Sequence, residues 1–294
     1  MGDRRSEDPG ESVARSVDES GGQSVQSVQN VGGSVGESVA RSLGQSLGQS
    51  LGQNLGQSLG QNIVERIGAA CARHGLDLTR SLRVDWYNQL VEPAHRLPDF
   101  GRASCLAVIV GNTRALWPHL AEALRADAGL AGHPDPVDQY CERVVGAAVA
   151  DLPAPWILRF AHEPPPRVAI QRLAHVAGLA YLTPSHLSVH PIYGPWIALR
   201  AVVVVDVDGP AEAPALAAPC DCAAHCGPHL AAALGRVSTG TPESAEVKRD
   251  WRAWLAVRDA CPVGREYRYS EQQIHYHYTN DPGGLPGKGP AEQE

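Results

Sequence analysis

Arg200 stands alone as a charge in an apolar run, Trp196-Ile197-Ala198-Leu199-Arg200-Ala201-Val202-Val203-Val204-Val205. A guanidinium in such a strand needs a counter-charge from the protein or from a ligand. Upstream, Gln171, His175, Gly178 and Leu182 recur at helical spacing beside an apolar stripe of Ile170, Ala174, Ala177 and Tyr181. That pattern predicts a helix carrying an amide, an imidazole and a bare backbone patch on one face. A mid-helix Gly costs about 1 kcal/mol against Ala, so Gly178 implies a close approach to the backbone. A third group, Cys220, Cys222 and Cys226 with His225 and His229, offers thiol and imidazole ligands for zinc or an iron–sulfur cluster. Its C-x-C-x3-C spacing lacks a second CxxC, so the leading reading is an exposed thiol cluster in a loop, with metal binding as the alternative and redox-active thiols between. Asp135 and Asp138 read as helix cap and helix-surface groups.

The elements that must position these groups alternate between helix and strand. Ile63, Ile67 and Cys71 predict a helix ending at His74-Gly75. Cys105–Val110 reads as a buried strand stopped by Gly111-Asn112, with Thr113 capping a helix to Ala126. Asp135-Pro136 opens a helix to about Val149, and Trp156–Ala161 is a strand. Ser188–His190 and Trp196–Val205 predict a hairpin around Pro191-Ile192-Tyr193-Gly194-Pro195. Residues 207–245 read as loop-rich, Glu246–Val257 as one helix, and Ser270–Tyr278 as a helix capped by Ser270. Trp251, Trp254 and the Tyr/His run 275–278 read as core packing. The expected fold class is α+β, a mixed sheet flanked by helices.

Residues 1–60 differ in composition from the rest. From Ser42 the tetrapeptide Ser/Asn-Leu-Gly-Gln repeats five times, with Leu at 43, 47, 51, 55 and 59 and a Gly in each unit. A Gly every turn works against a helix, so residues 1–60 read as a disordered extension, with a helix formed only against a partner as the alternative. Ordered structure is expected over 61–280, and 281–294 as a disordered tail. A net charge of −7 and the lack of a basic patch argue against nucleic-acid binding. No apolar run approaches the roughly 20 residues of a membrane span. Seven cysteines without framework spacing suit a reducing cytoplasm.

Five stretches, in order, resemble the cobalamin-processing CblC (MMACHC) family. They are Val84-Asp85-Trp86-Tyr87-Asn88 with Pro93–Pro98, Asp135-Pro136-Val137-Asp138-Gln139, and Ala174-His175-Val176-Ala177-Gly178. His190–Trp196 with Arg200, and Trp251–Trp254 with Arg258-Asp259-Ala260 and Tyr269-Ser270-Glu271-Gln272, complete the set. The resemblance implies a nitroreductase-like α+β fold that binds cobalamin with its lower base displaced. It implies reductive removal of cyanide with reduced FMN or FAD, and removal of upper alkyl groups by glutathione or another low-molecular-weight thiol. By the same resemblance Arg200 and Arg258 hold the thiol cosubstrate, while Ile170, Gln171, Leu182, Thr183, Ser188 and Leu199 contact the corrin. Leu182 and Thr183 replace tyrosines and Ser188 a cysteine of the family pattern. His175 is expected to line the pocket rather than ligate cobalt, since Leu173 stands where a base-replacing histidine motif carries Asp. Implied partners are a flavin reductase and cobalamin-dependent enzymes such as methionine synthase or methylmalonyl-CoA mutase, with the chain a monomer or homodimer. A cobalamin chaperone without activity, or a flavin reductase that never meets cobalamin, are the alternatives.

Overall fold

The computed structural model describes residues 41, 42, 45, 56–237 and 244–287. Most of the repeat, and the tail from 288, therefore lie outside the described residues. Helix α1 covers 56–72 of the described residues, so helix is already present at Gly56, in the fourth repeat unit, ahead of Gln61. The four-stranded sheet has the order β1 (Leu78–Arg83), β2 (Cys105–Asn112), β6 (Ala198–Asp208), β3 (Trp156–Phe160), and all its pairings are antiparallel. The α+β architecture is as expected; strand direction refines it, because no parallel pair occurs in this sheet.

Both faces of the sheet are covered, which is why its central strands read as continuous apolar runs. On one face α1, α3 (Leu116–Ala126) and α5 (Pro136–Val149) pack Ile63, Ile67, Leu116, Leu120, Val145 and Val149 onto Leu106, Val108, Ala201 and Val203. On the other, α2 (Val84–Asn88) and α6 (Ile170–Val176) bring Tyr87, Leu173 and Ala174 against Ala107, Ile109, Val202 and Val204. Each such buried aliphatic side chain contributes about 1.5–3 kcal/mol. The short α4 (Ala128–Ala131) closes the first face. Two satellite clusters lie beyond the sheet. One involves β5 (Ser188–Val189), α7 (Cys226–Leu234) and α9 (Trp251–Asp259). The other joins Trp196 to α9 and α10 (Glu271–Thr279).

Several local expectations are corrected. The helix at 170 ends at Val176, and Gly178 (φ +68°) terminates it: Gly178 N–H donates to His175 O (3.0 Å) and Leu179 N–H to Ala174 O (2.9 Å). The close approach inferred for Gly178 is to Pro214, which an added Cβ would meet at 2.7 Å. Tyr181–Leu182 is strand β4 and pairs with β5, so the hairpin is β4–β5 rather than 188–205. β2 runs on through Gly111-Asn112, and Thr113 is not the cap of α3, whose N-cap is Ala115. Thr113 instead donates to Asp77 (2.6 Å) and accepts from Ala115 N–H (3.2 Å). The 207–245 stretch contains α7, and the single helix expected at 246–257 is α8 (Ser244–Arg249) and α9, broken at Asp250. Past Asp281 the chain is ordered to Gly287, because Leu285 is buried in the main core and its carbonyl accepts from Gln272 Nε2 (2.9 Å).

Two turns meet backbone to backbone beneath the satellite clusters. Gly194 (φ +58°) lies so close to Val263 that a Cβ would fall 1.9 Å from its carbonyl oxygen. Gly101 shares the left-handed conformation (φ +74°) but has open space around it. Gly101→Ala is therefore expected to cost about 1 kcal/mol, the conformational penalty alone. Gly194→Ala should cost about 3 kcal/mol or more, since the backbone of 261–264 must also move. Urea unfolding of the two variants checks this, and equal costs would refute the turn-to-turn contact.

Candidate functional site

A cleft of about 290 Å³ opens where α6, β5, the head of β6 and α9 meet. Ile170 and Gln171 start α6, Leu187 and Ser188 come from the β4–β5 hairpin, Ile197 and Leu199 lead into β6, and Arg258 projects from α9. Five of the residues singled out in the sequence, Ile170, Gln171, Ser188, Leu199 and Arg258, thus line one cavity. Two larger concavities, of about 410 and 470 Å³, lie beside α1 at Asp208–Ala211 and between α1, α3 and α5. No buried unpartnered polar atom of the described residues belongs to the residues lining them. The 290 Å³ cleft holds one, Ser188 Oγ, and has a cation in its wall.

Arg200 owes its orientation to a β-bulge. Val110 pairs with Ala201 and Gly111 with Leu199, leaving Arg200 as the extra residue on β6. Strict alternation would place Leu199 with Ala201 and Arg200 with Val202. The bulge reverses this: Leu199 packs with the α2–α6 cluster, and Arg200 reaches α5 on the other side. Its Nε donates to Asn112 Oδ1 at 2.8 Å and its Nη1 to Asp138 Oδ1 at 3.4 Å. Its Nη2 is buried and has no hydrogen-bond partner. An unmade hydrogen bond on a buried donor costs about 1–3 kcal/mol, more if charged. Asp138, read from the sequence as a helix-surface group, is therefore the counter-ion of the buried guanidinium, and it also faces His162 at 3.7 Å.

Arg258 is fixed differently. Its Nη2 donates to Pro195 O at 2.6 Å, and its guanidinium lies over the rings of Trp196 (4.5 Å) and Tyr269 (5.3 Å). Trp196 also takes Arg268 at 5.5 Å, and Arg268 is in turn held by Asp259 at 2.7 Å. The expected core-packing role of the 275–278 run holds for Tyr276, with Tyr278 packed partly buried against the Trp196 cluster, while His277 adds electrostatic content. Burial, then the fields of Arg200 and Arg258, hold the His277 imidazole well below its usual range. Tyr269, buried beside Arg258, leaves its hydroxyl without a partner. Two arginines from different elements thus act on the same neutral histidine and the same tyrosine.

The remaining predicted residues do not line the cleft. His175 Nδ1 accepts from Leu182 N–H (3.2 Å), and its ring meets Tyr181 edge-on, so it fixes the start of β4. Leu182 lies half-exposed in that strand. Thr183 is buried, and its hydroxyl closes the 183–187 turn by donating to Leu187 O (3.0 Å) and accepting from Leu187 N–H (3.2 Å). Gln171 reaches across to the same hairpin, donating to His186 O at 2.9 Å. Sequence reasoning missed Asn112, Asp138 and His277; only the interrupted pattern at Gly111-Asn112 signalled the bulge. Of the sulfur group, Cys220 and Cys222 stand 3.5 Å apart, Cys226 shares their cluster, and His225 and His229 are exposed.

His277 gives a pH signature. Its folded-state pKa is depressed, so it contributes stability that is present above the ordinary value near 6.5 and lost as pH falls below it. His190 shifts the same way, chiefly by burial. His277→Phe, which keeps an aromatic ring against Trp117 and Tyr269, should flatten the decline in unfolding free energy between pH 7.5 and 5.5. An unchanged slope in urea titrations would show that His277 is not the group responsible.

Comparison with known proteins shows the family to which the chain belongs. The family profile for the methylmalonic aciduria and homocystinuria type C family matches residues 75–283. The human cyanocobalamin reductase / alkylcobalamin dealkylase is 30% identical over 217 residues, covering 67% of this chain and 71% of its own. The zebrafish protein of the same description is 28% identical over 218 residues, covering 67% of this chain and 80% of its own. Among solved structures, the Caenorhabditis elegans B12-trafficking protein CblC superposes with a TM-score of 0.55 at 18% identity, covering 75% of this chain and 91% of that one, a likeness of fold. The profile spans the cleft, the bulge and both arginines, and the chain belongs to the methylmalonic aciduria and homocystinuria type C family.

Proposed function

We propose that this chain binds cobalamin against the α6–β5–β6 cleft and removes its upper axial ligand, transferring alkyl groups to a low-molecular-weight thiol. The observation that carries this reading is the buried Nη2 of Arg200, which has no partner, together with Arg258 in the wall of a mostly apolar cleft. A buried guanidinium group lacking a partner is suited to a carboxylate, and a peptide thiol such as glutathione brings two. The apolar lining from Ile170, Leu187, Ile197 and Leu199 favours a corrin stripped of its lower base. A cleft of this size would meet one face of so large a ligand, with the remainder of the corrin lying over the half-exposed β4–β5 hairpin.

In dealkylation the thiolate sulfur attacks the alkyl carbon as the carbon–cobalt bond breaks. A thioether forms, and the bonding pair stays on cobalt as cob(I)alamin. Arg200 and Arg258 hold the thiol's carboxylates, which places the sulfur in line, and their positive field favours the thiolate. His277, kept neutral between them, adds no competing charge. In decyanation a reduced flavin supplies the electron that lets cobalt release cyanide. No residue set around the cleft singles out a flavin pocket, so no step is assigned through that group. A flavin reductase, methionine synthase and methylmalonyl-CoA mutase are the natural suppliers and acceptors for such chemistry.

Titration with methylcobalamin, followed by glutathione, is expected to give a base-off spectrum and then cob(I)- or cob(II)alamin. Base-off binding with no conversion by any thiol tested would leave a chaperone, and no spectral change would refute cobalamin binding. Arg200→Gln and Arg258→Gln should each weaken thiol-dependent dealkylation about 10–100-fold, the worth of a charged hydrogen bond, with methylcobalamin affinity changed far less. Equal loss of both activities would remove the thiol role from these arginines.

A further inference from the structure

The satellite cluster under α7 and α9 contains four thiols, three from 220–226 and a fourth that sequence spacing did not connect with them. Cys222, Cys226 and Cys261 are buried, and Cys220 packs against them from the rim. Cys220 Sγ stands 3.5 Å from Cys222 Sγ, and all four cysteines belong to one small cluster. They come from three separate pieces of backbone: the 220–222 loop, the first residue of α7, and the residue after the C-cap of α9.

We propose that Cys220, Cys222, Cys226 and Cys261 bind one thiophilic divalent cation, Zn²⁺ in the cell, as a structural tetrathiolate centre. Tetrahedral coordination with zinc–sulfur bonds of about 2.3 Å sets neighbouring sulfurs roughly 3.8 Å apart. The 3.5 Å contact is close to that edge and too short for sulfurs spread around a multi-iron cluster, so a single ion is favoured. Among the described residues no three such side chains already stand in metal-holding geometry, so the thiols close on the ion by rotation about their side-chain bonds.

The local backbone suits this. Asp221 Oδ1 accepts the Ala223 and Ala224 N–H groups (3.0 and 3.3 Å), and Cys222 O accepts Gly227 N–H (2.7 Å), which curls the chain so that Cys222 and Cys226 point inward. Arg265 donates to Cys261 O at 3.3 Å and sets a positive charge beside a centre that would carry net negative charge. An ion bound there would fasten the long excursion between β6 and α9 to the wall that carries Arg258.

The test uses full-length, corrin-free protein reduced and stripped with a chelator, then titrated with Co²⁺ and back-titrated with Zn²⁺. One Co²⁺ per chain, with sulfur-to-cobalt charge-transfer absorption and the strong visible bands of tetrahedral thiolate coordination, displaced by one Zn²⁺, is the expected result. Cys261→Ser and Cys220→Ser should each weaken binding at least ~100-fold, beyond the 10–100-fold typical of outer partners of a metal ligand. Cys105→Ser, at a buried thiol in the main sheet, should leave it unchanged. Cys220 lies at the rim, so its variant reads binding even where Cys261→Ser fails to fold. Absence of stoichiometric Co²⁺, weak octahedral bands, retention of the signal in Cys220→Ser, or a disulfide among these cysteines in freshly isolated protein would each overturn the proposal.

Discussion

A guanidinium carried into the interior of an antiparallel sheet loses most of its hydration, and the effective penalty is several kcal/mol. Arg200 is in that position, on the longest strand among the described residues, with only 13% of its side chain exposed. Much of the surrounding architecture answers this charge. The bulge opposite Val110-Gly111 turns the side chain out of the α2–α6 layer, Asn112 gives it a neutral acceptor, and the first turn of α5 brings in Asp138. Asp138 reaches it because Asp135-Pro136 starts α5 where it does, placing residue 138 one turn in, against the end of β6. The compensation is incomplete, since the Asp138 contact is long and Nη2 is unpaired. A residue placed for stability alone would be expected to fill its hydrogen bonds; one left partly unsatisfied suits a ligand that completes them.

Arg258 solves the same problem by another route. Its charge rests on aromatic faces, where a cation over a desolvated ring gains up to about 2 kcal/mol, and on one carbonyl. Trp196 is held between Arg258 and Arg268, and Arg268 is anchored by Asp259, so the ring at the head of β6 is locked to α9 from both sides. The touching turns at Gly194 and Gly264 leave no room for sliding between those two segments. Arg258 is therefore positioned by rigid backbone, and Arg200 by a bulge, which together set the separation of the two cations without a direct contact between them.

The layers were legible because period and composition report burial. Cys105–Val110 and Ala201–Val205 are covered on both faces and read as unbroken apolar runs, and Ile63, Ile67 and Cys71 lie on one buried helical face. What pattern reading missed depends on events that side-chain periodicity does not encode. The helix from Ile170 stops at Val176 because Gly178 adopts a left-handed turn, although apolar spacing continues to Tyr181. A bulge exchanges the faces of Leu199 and Arg200, so the cleft and the buried guanidinium lie on opposite sides of one strand. Cys261 joins the thiol cluster from 35 positions beyond Cys226, a separation that no short motif expresses.

The hairpin 181–189 shows how a departure from the family pattern can leave the frame intact while changing what meets the ligand. Thr183 stands where the resemblance places a tyrosine, and here its short hydroxyl is consumed in closing the 183–187 turn from both sides. A tyrosine hydroxyl, carried four atoms farther out, could not make both bonds to Leu187, so the threonine adds two side-chain bonds to the backbone bond from Thr183 N–H to Leu187 O (2.9 Å) that closes this turn. Ser188 stands where the family has cysteine, and its unpartnered buried hydroxyl faces the cleft, where a thiol would have tolerated the apolar surroundings at lower cost. The two changes act oppositely: one removes an aromatic surface from the ligand's reach, and the other adds a donor within it. A corrin periphery carrying amide side chains can use that donor, whereas a flat apolar ligand cannot. The cleft accordingly offers polar contacts at Ser188 and Gln171 beside the guanidinium of Arg258, while Arg200 lies on the other side of β6.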